Sequence, residues 1–278
     1  MARIDDIFST LRPVGFKALM PFVCGGFPRL GLLGQLLEAC ESGGAVIAEV
    51  GIPFSDPIAD GPVIAAAMHE AIVAGATPLS VMQEVQAARG KLGLGIVAMV
   101  SVSIVHRMGG PAGFAKIAKE HGFDGLIVPD APLEEAGAIR DACRANDLAF
   151  SMLIAPSTPR ERAEAIAKSC TGFVYVMARM GITGESSQAP EVANRVQQLR
   201  QVTDLPLAVG FGVSNADHVA AVVKHADAAI VGSALVKRMG EAHKAKRDVV
   251  RECKDMVGSL AMGLTREQPQ NDPNRRLA

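Results

Sequence analysis

The chain has 278 residues, of which 49% are hydrophobic, and its formal net charge is −1. This length allows one large α/β barrel or two smaller domains. The near-neutral charge gives no basic surface for nucleic acid or anionic membranes, and no apolar run is long enough to cross a membrane. The N-terminus has no apolar signal core, so we expect a cytoplasmic protein.

Eight short apolar runs recur along the chain. Each is rich in Val, Ile, Ala or Phe and too short for a typical helix, which predicts a buried strand. The runs cover 18–23, 45–50, 95–101, 125–129, 148–155, 173–178, 205–210 and 228–233. Amphipathic stretches lie between them, often opened by Pro or an N-cap residue and closed by Gly or Asn. Eight strand–helix units predict a (β/α)₈ TIM barrel; a doubly wound sheet is disfavoured by the lack of a Gly-x-Gly-x-x-Gly turn.

Further helices and one polar tail complete the predicted organisation. Extra helices are expected over 4–12, near 62–74 before the helix at 78–90, and over 241–262. No Ser- or Pro-rich linker divides the chain, so residues 1–264 are predicted to form a single barrel domain. The polar segment 265–278 is expected to be a disordered tail.

The cysteines and histidines show no metal or disulfide pattern. The five cysteines include no Cys-x-x-Cys pair, none has a histidine at ligand spacing, and their odd number disfavours a disulfide framework. Cys24 follows the first strand beside the predicted site, and a small buried wall residue is favoured over a nucleophile. His218 and His225 share one predicted helix and are expected at the surface. We therefore expect no metal site.

An acidic residue ends the second predicted strand. Glu49 shares one strand face with Ala45 and Ile47, whereas the other face carries Val46 and Val50 and suits the helix-facing side of a parallel strand. Glu49 should therefore point into the barrel at the catalytic end, where burial raises a carboxyl pKa into the range useful for proton transfer. A structural ion pair is the alternative.

A proline-bounded loop follows, with the sequence GIPFSDPIADGP. The prolines limit backbone freedom and favour a defined loop. Asp60 precedes a predicted helix, so it could act in the site or simply cap that helix. Asp56 is similarly open between a turn residue and a partner contact.

Glycines follow strands seven and eight, in GFGVSNADH (210–218) and VGSALV (231–236). Each opens a predicted helix, and many barrels bind phosphate at this position. Gly212 and Gly232 would let the backbone approach a phosphate, and Ser233 would supply N–H donors at a helix start. Ordinary turn glycines are the alternative.

The stretch after strand six, ARMGITGESSQAP (178–190), is long and contains small polar residues, which suggests a mobile lid. Tyr175 lies on that strand and shares its inward parity with Phe173 and Met177. A buried phenol needs a hydrogen-bond partner, and Glu49 could be that partner, although plain core packing is an equal alternative.

Together these stretches resemble the tryptophan synthase alpha chain family. The segments EVGIPFSDPIADGP, GLIVPDAPLEE, GITGE, GFGVS and VGSALV occur in the family's order. The resemblance implies a (β/α)₈ lyase of tryptophan biosynthesis that cleaves indole-3-glycerol phosphate to indole and glyceraldehyde 3-phosphate. It also implies no cofactor in this chain, and an α₂β₂ heterotetramer in which indole passes through a tunnel to a beta chain that carries pyridoxal phosphate.

The same resemblance implies roles for individual residues. Glu49 would be the proton-transferring residue, Asp60 the substrate-orienting residue, and Tyr175 a neighbour of that glutamate. The other implied substrate-binding positions are Phe22, Ile64, Ile127 and Ile230 around the indole, Thr183 and Gly184 in the lid, and Gly184, Phe211, Gly212, Gly232 and Ser233 around the phosphate.

Two stretches depart from the family pattern. MVSVSIVH replaces the common Tyr-x-Asn-Pro after strand three, and PFVCGGFP replaces the Thr-Ala-Gly-Asp-Pro-like turn after strand one. Two alternative functions are a free-standing indole-3-glycerol-phosphate lyase and a non-catalytic alpha-like module that regulates a beta chain. The presence of Glu49 and Asp60 argues against the module.

Overall fold

The computed structural model describes residues 2–57, 60–178, 192–210 and 212–265. The strands are β1 (Ala18–Cys24), β2 (Ile47–Gly51), β3 (Gly95–Met99), β4 (Gly125–Ile127), β5 (Ala149–Ser151), β6 (Leu153–Ile154), β7 (Val174–Met177), β8 (Leu207–Gly210) and β9 (Ala228–Val231). They form one sheet in the order β5-β4-β3-β2-β1-β9-β8-β7-β6, in which the paired strands run parallel.

The sheet closes into a barrel through its fifth strand. β5 and β6 lie at opposite ends of the sheet order, yet only Met152 separates them in the chain. They are therefore two halves of one barrel strand, which corresponds to the predicted run over 148–155. The predicted (β/α)₈ barrel is confirmed.

Twelve α-helices surround or cap the barrel within the described residues. They are α1 (Arg3–Leu11), α2 (Leu33–Ser42), α3 (Pro62–Val73), α4 (Pro78–Arg89), α5 (Val102–Arg107), α6 (Gly110–Glu120), α7 (Ala136–Ala145), α8 (Arg160–Ser169), α9 (Ala193–Arg200), α10 (Ala216–Val223), α11 (Ser233–Lys244) and α12 (Val249–Thr265), and a 3₁₀ turn spans Arg12–Val14. No single helix in this part of the chain is long and apolar enough to span a membrane. Helices α3 and α4 reach that length and apolar composition only together, as a pair bent by 94°.

Helix α1 closes the barrel at the amino-terminal ends of the strands. Ile4 is fully buried, and Phe8 packs on Phe173 with 6.1 Å between ring centroids. Gly95 and Gly172 make room for Ile4, because a Cβ on either would lie 2.7 Å and 3.1 Å, respectively, from its side chain. The barrel is thus filled at the amino-terminal ends of its strands, referred to below as its lower end. Its interior is accessible from the carboxyl ends of the strands.

The extra helix predicted over 241–262 is present as α12, but it begins only at Val249, because the structure breaks the chain between α11 and α12. Lys246 has a positive φ of 55°, which a helix cannot contain. Asp248 then begins a new helix, since its side chain accepts hydrogen bonds from the amides of Val250 at 3.0 Å and Arg251 at 3.1 Å.

Helix α12 packs closely on α2 and α10. The sulfur atoms of Cys40 and Cys253 lie 3.8 Å apart between α2 and α12. At the other contact, a Cβ on Gly263 would overlap the carbonyl oxygen of Ala216, so the backbones approach at a distance that only glycine permits.

Two glycines of α12 give a matched test of this packing. Gly263→Ala should lower the free energy of unfolding, because the new methyl group meets backbone. Gly258→Ala should raise it by about 0.5–1 kcal/mol, because a Cβ there meets nothing within 4 Å and alanine favours the helix. Urea unfolding followed by circular dichroism measures both changes. Equal effects of the two substitutions would contradict the described packing.

Candidate active site

A cavity opens at the carboxyl ends of the strands and has an empty volume of about 600 Å³, including its mouth. Most of the residues predicted for the site line it, namely Phe22, Glu49, Asp60, Ile64, Tyr175, Gly212, Ile230, Gly232 and Ser233. Ile127 is fully buried in β4 but is not part of the lining. Thr183, Gly184, Phe211 and nearly all of the predicted lid lie outside the described residues.

Four further lining residues were not predicted: Met99, Pro129, Leu153 and Val213. Met99 and Leu153 could have been found from strand parity, because both are inward positions near the carboxyl ends of their strands. Pro129 and Val213 follow strands in loops, where parity gives no information.

The strand register explains why the predicted residues meet. Glu49 pairs with Phe22 on β1 and with Val97 on β3. In a TIM barrel each strand is staggered by about one residue against the next, so inward side chains of alternate strands form layers of four. Followed around this barrel, the pairing places Glu49, Ile127, Tyr175 and Ile230 in one layer. Three of these four residues, Glu49, Tyr175 and Ile230, line the cavity.

The Glu49 carboxyl group is buried without a counter-charge. Its side chain is 1% exposed, and neither oxygen has a hydrogen-bond partner among the described residues. No Lys, Arg or His in that part of the chain lines the cavity, so the alternative of a structural ion pair has no candidate partner there. Burial, and then the charge of Asp60, raise the pKa of Glu49 to about 8. Glu49 is therefore mainly protonated at neutral pH.

Asp60 faces the same cavity from the loop after β2. Gly61 occupies the N-cap of α3, and no side chain caps that helix, so Asp60 is not the helix cap. Burial, and then the charge of Asp130, raise the pKa of Asp60 to about 6. Asp56 is exposed, accepts a 2.6 Å hydrogen bond from Ser55 Oγ, and does not line this cavity. Between about pH 6 and pH 8, the site thus holds one ionised and one protonated carboxyl group.

Tyr175 lies beside these carboxyl groups. Burial, then Glu49, then Asp60 raise its pKa well above the usual value, so the phenol stays protonated and can donate a hydrogen bond. Its hydroxyl lies against β8, where a Cβ on Gly210 would collide with it. Gly210 therefore makes the space that the Tyr175 ring occupies.

The other end of the cavity is formed by backbone. Gly212 has a positive φ of 89°, and Gly232 is the N-cap of α11, a helix of 12 residues that begins at Ser233. His218, expected at the surface, is instead 4% exposed, and its Nδ1 lies 3.0 Å from the carbonyl oxygen of Gly212. That contact holds the Gly212 turn. Free N–H groups at a helix start attract an anion such as phosphate.

The loop after β3, which departs from the family pattern, is hydrogen-bonded to the loop after β4. Asp130 accepts hydrogen bonds from Ser101 Oγ at 2.7 Å and from the Val102 amide at 2.8 Å, and so holds the start of α5. A second cavity of about 350 Å³ lies here and shares Asp60 and Met99 with the first.

Cys24 does not act as a nucleophile in this arrangement. The thiol is buried at the end of β1 and does not line the cavity. Burial, and then the charge of Asp60, raise its pKa, which keeps the sulfur protonated.

The closed parallel barrel, with a cavity at the carboxyl ends of its strands, defines the class of this protein, a (β/α)₈-barrel enzyme. A family model described as "Tryptophan synthase alpha chain" matches residues 8–265. The chain belongs to the tryptophan synthase alpha chain family.

Similar proteins agree with this membership. The tryptophan synthase alpha chain of Halorhodospira halophila is 40% identical over 265 residues, which cover 95% of this chain and 97% of that protein. The alpha chain of a Synechococcus species is 42% identical over 237 residues, covering 84% and 88%.

Solved structures show the same fold. Tryptophan synthase subunit alpha from Legionella pneumophila str. Paris superposes with a TM-score of 0.88 at 31% identity, covering 96% of this chain and 99% of that one. A chain of Mycobacterium tuberculosis tryptophan synthase gives a TM-score of 0.85 at 32% identity, with coverage of 95% and 98%.

The buried Glu49 should make folding stability depend on pH. Between pH 4.5, its ordinary pKa, and about pH 8, the folded protein retains a proton that the unfolded chain loses, so stability falls as the pH rises. Glu49→Gln removes this term. We expect the stability difference between variant and wild type to shift in favour of the variant by roughly 1.4 kcal/mol per pH unit in this range. Urea unfolding at pH 4, 5, 6, 7 and 8 measures it, and a difference independent of pH would contradict the assignment.

Proposed function

We propose that this chain cleaves indole-3-glycerol phosphate to indole and glyceraldehyde 3-phosphate, as the alpha subunit of tryptophan synthase. The observation that carries the proposal is the carboxyl pair of Glu49 and Asp60, which shares one cavity with the helix start at Gly232 and Ser233. Proton transfer and phosphate binding, the two requirements of this lyase reaction, are thus met by opposite ends of the same cavity.

Glu49 performs the proton transfers. Breaking the bond between indole C3 and the glycerol chain requires a proton on C3 and removal of a proton from the adjacent hydroxyl group. With a pKa of about 8, Glu49 is protonated when substrate arrives and can protonate C3. The resulting carboxylate then takes the hydroxyl proton while the carbon–carbon bond breaks and its electrons return to the ring. Glu49 ends protonated, as it began.

Asp60 stabilises the charge that this transfer creates. Protonation at C3 places positive charge on the indole ring, centred on the N–H group. With a pKa of about 6, Asp60 is mainly ionised at neutral pH and attracts that charge as it develops. Tyr175 remains protonated beside Glu49, so it can donate a hydrogen bond to the carboxylate formed in the first step.

The remaining lining suits the other parts of the substrate. Phe22, Ile64 and Ile230 offer apolar surface to the indole. Because no basic side chain of the described residues lines the cavity, the phosphate is bound by backbone N–H groups and the positive end of α11, near Gly212, Gly232 and Ser233. Thr183 and Gly184 in the lid and Phe211 beside the phosphate remain predictions.

The family name implies a beta-chain partner. We propose an α₂β₂ complex in the cytoplasm, in which the beta chain carries pyridoxal phosphate and receives the indole. No observation on this chain favours either a free-standing lyase or a non-catalytic module.

Substitution of the two carboxyl groups should affect catalysis in different ways. Glu49→Gln should reduce indole release by about 10²–10⁴-fold while the fold is retained, because the acid and base are lost. Asp60→Asn should lower kcat more than it changes KM, because the ring charge appears in the transition state. Asp56→Asn, in the same loop but outside the cavity, is the matched control in the assay without a beta chain.

The assay measures indole released from indole-3-glycerol phosphate, with and without a beta chain. Near-normal turnover by Glu49→Gln would contradict its role, and a pure KM effect of Asp60→Asn would make Asp60 a loop residue. Turnover that needs no beta chain and does not respond to it would favour the free-standing lyase.

Phosphate binding can be tested without catalysis. Glycerol 3-phosphate should raise the unfolding temperature, whereas glycerol should not. At 100 times its Kd, the bound ligand should add about 2.7 kcal/mol to the free energy of unfolding. Gly232→Val should abolish the protection, because its methyl groups occupy the space of the phosphate oxygens. Gly232→Ala is the control, since its Cβ would lie 3.6 Å from the nearest atom, on Phe22, and fits the wall. Full protection of a folded Gly232→Val protein would place the phosphate elsewhere.

A further inference from the structure

Ser151 presents a buried hydroxyl group that the proposed reaction does not use. Its side chain is 1% exposed, and Oγ has no hydrogen-bond partner among the described residues. Within those residues, the other buried side-chain atoms of this kind are the two Glu49 oxygens and Arg195 Nε, and Arg195 lies on α9 outside the barrel. Among the described residues, Ser151 and Glu49 are therefore the polar side chains of the barrel interior without a hydrogen-bond partner.

The strand register places Ser151 directly below the Glu49 layer. Ser151 pairs with Ile127 on β4, which pairs with Met99 on β3. Met99 lines the cavity, so the side chains of this row face the interior. With the stagger of about one residue per strand, Ser151 falls in the next layer toward α1, together with Met20, Val97 and Ala208.

Small side chains in the Ser151 layer favour room for a water molecule between this layer and the Glu49 layer. Ala208 and Ser151 are two of the four residues of the lower layer. The Tyr175 hydroxyl lies against Gly210 on β8, the side of β7 away from β6, so the ring does not lean over Ser151. Buried polar atoms in such positions are commonly paired through a bound water, which requires two to four polar partners.

We propose that Ser151 and Glu49 hold a bound water in the barrel interior, and that Ser151 is thereby a positioning residue for Glu49. The Ser151 hydroxyl contacts the water from below, and the water donates a hydrogen bond to a Glu49 oxygen. The water site itself is independent of the proposed reaction, and only its catalytic consequence rests on Glu49 being the proton-transferring group.

The water would favour the ionised form of Glu49. The titratable groups of the described residues that interact with Glu49 are Asp60 from the loop after β2 and Tyr175 from β7, whereas Cys24 at the end of β1 interacts with Asp60. Burial opposes ionisation of Glu49, and the charge of Asp60 acts in the same direction. A hydrogen bond from the water acts the other way, so it eases release of the Glu49 proton and brings the pKa of the group closer to neutral pH.

A direct titration of Glu49 tests the proposal. The side-chain carboxyl carbons are followed by ¹³C NMR in glutamate-labelled protein, and the Glu49 signal is assigned by its absence in Glu49→Gln. Ser151→Ala should raise the pKa of Glu49 by about one pH unit, because the carboxylate loses a positioned donor. Ser169→Ala is the matched control, since that hydroxyl is bonded to the carbonyl of Ala165 at 3.2 Å outside the barrel.

The opposite outcome has its own signature. If the Ser151 hydroxyl is an orphan, Ser151→Ala removes an unpaired buried polar group, so the unfolding temperature rises and the pKa of Glu49 does not change. That result overturns the proposal. Should Ser151→Ala fail to fold, Ser151→Cys keeps a donor at this position, although a larger and weaker one, and should shift the pKa in the same direction. The two proposals can also fail separately. If Ser151→Ala raises the pKa of Glu49 but Glu49→Gln remains active, the water site is supported and the proposed role of Glu49 is rejected.

Discussion

The arrangement of this site depends on two carboxyl groups enclosed in one cavity without a basic side chain among the residues described. Burial disfavours the charge of each, and the charge of Asp60 further disfavours that of Glu49. The surrounding structure maintains this environment. Helix α1 seals the lower end of the barrel, and apolar inward residues occupy most of the layers between. If water entered freely from below, both pKa values would relax toward those of exposed acids, and the difference between the two groups would be lost.

That difference gives two chemically similar groups different protonation states at neutral pH. Glu49 belongs to a strand and lies deep in the barrel, whereas Asp60 belongs to a loop and is less enclosed. The deeper group keeps its proton at neutral pH and the shallower one is mainly ionised. Acid–base pairs in enzymes commonly arise in this way, from unequal environments rather than from different residue types. The proposed phosphate end needs no such tuning, because helix α11 and two glycines provide fixed backbone dipoles.

Much of this arrangement could be predicted from sequence because it follows from local rules. Alternation within β2 determines that Glu49 points inward, and glycines before α10 and α11 mark the predicted phosphate end. Features set by distant partners could not be predicted. Asp130 holds Ser101 and Val102 from another loop, and His218 is buried because its ring reaches the Gly212 carbonyl. The break before α12 depends on the positive φ of Lys246, and a lysine in the sequence gives no signal for that conformation. The family resemblance supplied the substrate, which neither parity nor spacing can identify.

Because helix α1 closes one end of the barrel, it also determines where substrate can enter and where products can leave. With Ile4 and Phe8 filling the amino-terminal end, the described barrel offers no passage along its axis. Substrate must enter, and both products must leave, on the face where the strands end. In the proposed binding mode the phosphate is anchored on one side of that face and the aromatic portion on the other, so the two fragments would leave from opposite walls. A protein that collects one fragment and leaves the other to solvent must therefore cover part of this rim and not all of it.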